Sequence, residues 1–313
     1  KADRYYAQSI QELTEKLNLE QPLIKLVQKL KDNNSKVVVM IDQIDSLSQS
    51  ITSRRDYIDT YNQLIHQLKY IAGIRIVISI RTFDLNYDFE FSEYKNRQKV
   101  IVKPLSEQQV KNILGKLGLP TDKLSPGFIS LLSVPNHLDI FCKIYGPGVI
   151  INQFQSLQDL YNELWRKNVL SQPREKGEQY TNTVYEIVEK MHSLQHLSIA
   201  ESQISDIAKQ SLPYLASNGL MVDSNNSVQF FHQSFYDFVF AKRFTEKNHS
   251  LESFIFSEEQ SIYIRPAVKM ILSFLRQKDT AGYVKLISSL LFSGKFRYHI
   301  QLLIMGAECT SLR

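Results

Sequence analysis

Hydrophobic and polar positions along this chain change period several times, and each change marks an element. From Gln8 to Leu17 and from Pro22 to Leu30 the apolar residues recur at helical spacing, which predicts two short amphipathic helices. An unbroken apolar run from Val37 then ends abruptly at Asp42. So short a run suits a strand, and its apolar character predicts a parallel strand over Lys36 to Ile41, buried on both faces. Tyr57, Tyr61, Leu64, Ile65, Leu68 and Ile71 return to helical spacing within Arg54 to Ile71, Gly73 breaks the pattern, and Ile74 to Ile80 reads as a second buried strand. The order is strand, helix, strand.

Val100 to Val102, ahead of Pro104, predicts a third short strand, and Ser106-Glu107-Gln108-Gln109 opens a helix with a capping-box pattern. Beyond it the chain reads as helical, punctuated by Pro126, Pro135, Pro147, Pro173, Pro213 and Pro266. The exception is a hairpin. Leu215 to Val222 leaves a helix and enters a strand, Asn225-Asn226 makes a turn, and Ser227 to Phe231 returns. Helices followed by a hairpin and another helix describe a winged-helix domain, which binds DNA in some settings and serves as a packing module in others. Here the helix after the hairpin carries Phe235, Tyr236, Phe238, Phe240 and Phe244, with basic residues only at Lys242 and Arg243, so it predicts a packing surface. From Ser261 onward Ile262, Ile264, Val268, Ile271, Leu272, Leu275, Tyr283, Val284, Ile287, Leu290 and Leu291 predict further paired helices, without a demonstrable repeat.

Candidate chemistry sits where the first strand ends. Asp42 and Asp45 stand at the carboxyl edge of a predicted parallel sheet, where ligands of open α/β folds bind. An acid there can direct a nucleotide's magnesium ion, and a second acid one turn on can orient water; the competing reading is a strand whose Asp merely caps the next helix. The glycine-rich phosphate loop that such a site needs does not occur in the sequence. Gly115-Lys116 and Gly294-Lys295 lack the upstream Gly and the following Ser or Thr, and read as turn or helix-end glycines. Because the chain opens on Lys1 and runs directly into helical pattern, the expectation is a fragment whose phosphate loop lies upstream.

Composition narrows the classes. The 313 residues are 43% hydrophobic, with nine prolines and eleven glycines, which fits two or three packed domains and argues against disorder. A net charge of +5 is spread among acids, so no nucleic-acid stripe is indicated. Cys142 and Cys309 are distant from each other and lie among apolar neighbours, so neither a metal knuckle nor a disulfide framework is indicated, and a reducing cytoplasm fits. No apolar stretch approaches the ~20 residues of a spanning helix. His66, His137, His192, His196, His249 and His299 show no metal-ligand spacing and read as surface or core residues.

Four segments in order carry a resemblance: Asp42-Gln43-Ile44-Asp45-Ser46-Leu47-Ser48, Ile78-Ser79-Ile80-Arg81-Thr82-Phe83-Asp84, Val134-Pro135-Asn136-His137-Leu138, and Phe231-His232-Gln233-Ser234-Phe235-Tyr236-Asp237-Phe238. Over roughly residues 36 to 247 the chain resembles the bacterial signal-transducing P-loop ATPases of the STAND class, which include the NACHT-like ATPases of antiphage defence. The resemblance implies an α/β plus α protein: a partial P-loop NTPase domain over 1–104, a helical lid over 105–172, a winged-helix domain over 173–250, and over 251–313 a helical region that begins a repeat sensor.

It also implies roles. Asp42 would direct magnesium and Asp45 would be the catalytic acid. Arg81 would sense the γ-phosphate, the alternative being an Arg paired with Asp84 or Asp88. Pro135 would pack beside adenine, or would simply break a helix. His232 would reach the β-phosphate of ADP and hold the closed state, or would be structural. The implied cofactors are ATP or ADP and Mg2+ in the intact protein, with little activity from this chain alone. The implied partners are further copies of itself on activation, an upstream effector and a downstream sensor in the same polypeptide, and a trigger ligand; no membrane and no nucleic acid are expected. Two rivals remain open at this point, an AAA+ DNA-binding ATPase of the origin-recognition kind and a helical scaffold independent of nucleotide.

Overall fold

The computed structural model describes residues 2–33, 36–48, 56–224, 226–261 and 264–309, which divide into two compact units. The first gathers Lys1–Lys99 with Met191–Ser198 and Glu258–Ile264; the second holds the rest. The expected helix start at Arg54, the Asn225 half of the turn, Ile262 and the final residues 310–313 lie outside the described residues.

In the first unit the order is α1 (Ile10–Lys16), α2 (Leu23–Asn33), β1 (Val37–Ile41), α3 (Asp45–Ser48), α4 (Asp56–Leu68), β2 (Ile74–Ile78) and α5 (Thr82–Tyr87). β1 and β2 pair in parallel, with Val37 opposite Ile74 and Ile41 opposite Ile78. α4 supplies the crossover between them, and it buries Tyr57, Ile58, Tyr61, Leu64, Ile65 and Leu68, the stripe that its sequence period predicts. Against that stripe pack Val37, Val39, Ile74, Ile76 and Ile78, the alternate residues of both strands.

Two expectations fail here. The strands are not buried on both faces: Val38 is 53% exposed, Met40 74% and Val77 48%. The apolar run satisfies the strand, but among the described residues helices cover only one side of the sheet. Val100 to Val102 is not a strand either. Its backbone pairs with no neighbour among the described residues, and the three side chains are 88%, 73% and 87% exposed, so apolar character alone did not make an element without a ladder to join.

The chain continues with α6 (Glu107–Lys116), α7 (Pro126–Leu132), α8 (Pro135–Ile144), α9 (Leu157–Trp165), α10 (Arg174–Leu194), β3 (Ser198–Ala200), α11 (Asp206–Ser217), β4 (Met221–Ser224), β5 (Ser227–Phe230), α12 (Gln233–Glu246), α13 (Leu251–Ser257), α14 (Arg265–Lys278), α15 (Thr280–Phe292) and α16 (Tyr298–Cys309), all in the second unit except the end of α10 and the first residue of β3. The capping box of α6 forms as expected: Gln109 N–H donates to Ser106 Oγ at 3.3 Å, and Ser106 N–H donates to Gln109 Oε1 at 2.8 Å. Pro126 and Pro135 occupy first helical positions, where a missing N–H costs nothing. Pro213 does not punctuate; it lies inside α11, flanked by the buried Leu212 and Leu215. Packing of those leucines and the face-to-face stack of Tyr214 on Tyr180, at 4.3 Å between ring centres, offset the ~3 kcal/mol an interior proline costs. A π-helical turn, Arg166–Leu170, extends α9, and α10 approaches it closely at Gly177, where a Cβ would stand 3.1 Å from the Val169 carbonyl oxygen.

The hairpin is present, β4 antiparallel to β5, with Met221 opposite Phe230. Sequence periodicity missed β3, a third strand on the other side of β5, because three residues are too few to show alternation. Directly after β5 comes α12, whose aromatic residues form the expected packing surface. Phe235, Tyr236, Phe238, Phe240 and Phe244 are all buried, and α12 packs along α14. Phe238 meets Tyr161, Trp165, Phe235 and Phe274 at centroid distances of 5.3, 6.5, 5.8 and 5.5 Å. Phe238→Ala is therefore expected to cost about 3–5 kcal/mol, the range for emptying a filled aromatic site. Urea unfolding followed by the fluorescence of Trp165 measures it, and a loss below about 1 kcal/mol would contradict this core.

Candidate functional site

The register of β1 and β2 sets the first cluster. With Ile41 opposite Ile78, the next residues along are Asp42 and Ser79. Ser79 fastens the two strand ends: its N–H donates to the Ile41 carbonyl at 3.0 Å, and its carbonyl accepts from Ile44 N–H at 3.3 Å. Its hydroxyl accepts from Gln43 N–H at 2.8 Å and donates to Asp42 Oδ1 at 2.5 Å. Asp42 is thereby held at the carboxyl end of the sheet, as its sequence position predicts.

Asp45 opens α3 and is 2% exposed. A buried carboxylate needs a partner, and Arg81 supplies one, with Nε 3.3 Å from Oδ2. The expected alternatives for Arg81 were Asp84 and Asp88; the pairing seen is with Asp45. Arg81 itself precedes α5 with its backbone extended, which turns the chain from the strand end into that helix.

Between the two acids, Gln43 adopts the left-handed conformation at φ 59°, and its Oε1 is buried without a hydrogen-bond partner among the described residues. A left-handed backbone costs an L side chain about 1–2 kcal/mol, and an orphaned buried oxygen costs about 1–3 kcal/mol more. Both penalties sit between the two candidate acids, where strain tends to gather at functional sites.

The second cluster belongs to the other unit and joins two of the quoted motifs. Pro135 is the exposed first residue of α8. Its neighbour Asn136 directs Nδ2 to Tyr161 Oη and to Ser234 Oγ, each at 3.4 Å. Tyr161 and Ser234 hydroxyls lie 2.6 Å apart, and Ser234 Oγ lies 2.7 Å from His232 Nδ1. His232 is the N-cap of α12, with Nδ1 accepting from Ser234 N–H at 3.1 Å. The structural reading of His232 is therefore satisfied at one ring nitrogen. Because Nδ1 accepts, the neutral ring carries its proton on Nε2.

Burial pushes the Tyr161 phenol up to about 12, with its hydrogen bonds to Ser234 and Asn136 working against that rise and the Asp237 charge adding to it. His137 lies next to Asn136 with its ring Nδ1 2.8 Å from the Leu131 carbonyl, and burial lowers its pKa. The basic residues after the hairpin are engaged by acids: Lys242 pairs with Glu246 at 3.0 Å, and Arg243 and Lys247 share Glu189 at 2.8 and 2.6 Å.

The donor chemistry fits magnesium in part. A carboxylate such as Asp42, with phosphate oxygens, is an ordinary Mg2+ ligand set. The phosphates themselves have no cradle of backbone N–H groups among these residues. Among the described residues no cluster of three or more His, Cys, Asp or Glu is gathered, and no helix is long and apolar enough to cross a membrane.

Sequence reasoning missed Ser79, Tyr161 and Ser234 as site residues. Ser79 left a signal, a polar residue closing an apolar strand one step beyond the register of Asp42. Tyr161 left none, since 73 residues separate it from Ser234.

No family model matches the chain, and no curated protein matches it. Among solved structures it is similar to Cdc6p from Pyrobaculum aerophilum, with 13% identity, 71% of each chain covered and a TM-score of 0.20. A superposition that loose carries no argument about fold or activity.

Two measurements follow from this geometry. Gln43→Gly relieves the left-handed strain and removes the orphaned oxygen, against a loss of side-chain packing and a freer unfolded chain, so a net gain of about 1 kcal/mol is expected. Chemical denaturation of parent and variant reads it, and a destabilised variant would remove the strain argument. The second concerns Tyr161, whose folded-state pKa lies above its unfolded value of 10.0. Its contribution is fully present below about pH 10 and is lost as pH rises towards 12, because the unfolded phenol ionises first. The stability advantage of the parent over Tyr161→Phe should narrow by roughly 2–3 kcal/mol over that window. An advantage that stays constant would place the phenol in a more polar site.

Proposed function

We propose that this chain is the central switch of a nucleotide-dependent signalling ATPase of the STAND class, related to the NACHT-like ATPases of antiphage defence. Residues 1–104 would be part of the P-loop NTPase domain, 105–172 the lid, 173–250 the winged-helix domain and 251–313 the start of a helical sensor. The observation that supports it most is the placing of Asp42, Ser79, Asp45 and Arg81 together at the carboxyl ends of two parallel strands.

In this reading the residues divide the work. Asp42, oriented by the Ser79 hydroxyl, offers its other carboxylate oxygen to a metal; magnesium, when bound, neutralises charge on the phosphates. Asp45 is at rest while Arg81 holds it, since an ion-paired carboxylate is a poor acceptor for a water proton. A γ-phosphate offers the guanidinium a stronger bidentate partner, so Arg81 leaves Asp45 when the triphosphate arrives, and Asp45 then turns to the water. Pro135 packs beside the base, and His232 donates from Nε2 to the diphosphate that keeps the switch off. Trigger binding by the sensor releases that state, after which copies of the chain assemble and activate an effector.

Asp45→Asn tests this in a polypeptide that joins the chain to a phosphate-binding loop. ATP affinity should stay within about threefold while turnover falls at least ~10-fold, because the metal-directing acid remains. An unchanged turnover number would remove Asp45 from the chemistry.

A further inference from the structure

The polar cluster at the start of α12 runs in one direction, and a backbone amide sets that direction. Ser234 N–H can only donate, so the His232 nitrogen it meets at 3.1 Å must accept. The Ser234 hydroxyl, 2.7 Å from the same nitrogen, then donates as well, because a ring nitrogen that accepts from the backbone has no proton to give the hydroxyl. Having given its own proton to the ring, that hydroxyl accepts from Tyr161 at 2.6 Å. Tyr161 in turn accepts from the Asn136 amide at 3.4 Å, and a phenol that keeps its proton to high pH remains a donor throughout the neutral range. Asn136, Tyr161, Ser234 and His232 thus form a chain of donors in one sense, from the first turn of α8 through α9 to the cap of α12.

Tyr161 is fully buried and its ring is fixed by Phe235 and Phe238 at 5.2 and 5.3 Å, so the middle of this chain cannot swing away. Asn136 adjoins Pro135, which locks the backbone at the start of α8. A shift of that helix start therefore reaches the imidazole through two hydroxyls.

We propose that Ser234 is the positioning residue for His232: its hydroxyl, oriented by Tyr161 and Asn136, holds the ring in the Nε2–H form and ties it to the start of α8. The use of that proton towards a diphosphate rests on the function proposed above; the orientation of the ring does not.

The test is long-range proton–nitrogen NMR of the 313-residue chain with labelled histidine, the His232 signals being identified by their loss in His232→Gln. The parent should show His232 as the Nε2–H tautomer. Ser234→Ala keeps the backbone N–H and loses the hydroxyl, so the tautomer ratio should fall about fivefold rather than reverse, the worth of one ordinary hydrogen bond. Ser234→Thr, which keeps a hydroxyl, should restore the parent ratio. Asn136→Ala, on another helix, should move the Nδ1 resonance in the same sense as Ser234→Ala, by less. If Ser234→Ala does not fold, Tyr161→Phe gives the same reading by removing the donor behind Ser234. A tautomer ratio unchanged in Ser234→Ala, or equally altered in Ser234→Thr, overturns the proposal. None of these readings needs nucleotide, so a chain that fails to engage ADP would sink the functional reading alone, and an unmoved tautomer would sink this one alone.

Discussion

The acidic end of the sheet depends on the register between β1 and β2. Side chains alternate along a strand, so a slip of one residue would turn Val39 and Ile76 away from α4 and would part Asp42 from Ser79. The apolar stripe of α4 and the candidate chemistry are therefore specified by one and the same pairing. Ser79 reinforces it at the strand end with bonds to Ile41, Asp42, Gln43 and Ile44, so the turn that carries both acids is fastened to β2 rather than left as a loose loop.

The second unit is organised differently. Its core is aromatic, and α12 is buried along most of its length, as a helix must be when α9, α14 and β5 all touch it. Polar groups inside such a core have to satisfy one another, and Asn136, Tyr161, Ser234 and His232 do so. The aromatic packing fixes the positions of these groups, and the hydrogen bonds fix their orientation. Neither contribution would be precise without the other.

Much of this was legible in the sequence, for identifiable reasons. The helix α4 and the strands around it announced themselves by period, Asp42 by ending an apolar run, the hairpin by its Asn-rich turn, and the start of α6 by its capping box. The failures share a cause. Periodicity reports what a residue prefers, whereas burial depends on what stands opposite: Val38, Met40 and Val77 are as apolar as Val39 and Ile76, yet no described helix covers them. Val100 to Val102 lacked a partner strand, and Pro213 lay in a helix whose packing outweighed its proline. At the site, Arg81 was visible but its partner was not, because Asp45 lies 36 positions earlier and only the parallel pairing brings them together.

The uncovered side of the two-stranded sheet affects how this 313-residue chain behaves in solution by itself. Val38, Met40 and Val77 form a small apolar patch on a parallel ribbon whose outer edges have no strand beside them among the described residues. Patches of this kind adhere to one another and to hydrophobic dyes, and open strand edges template further pairing. Self-association through this patch would grow with protein concentration and would be relieved by a charge at Met40. It would be indifferent to nucleotide, which separates colloidal adhesion from assembly by a ligand-controlled switch.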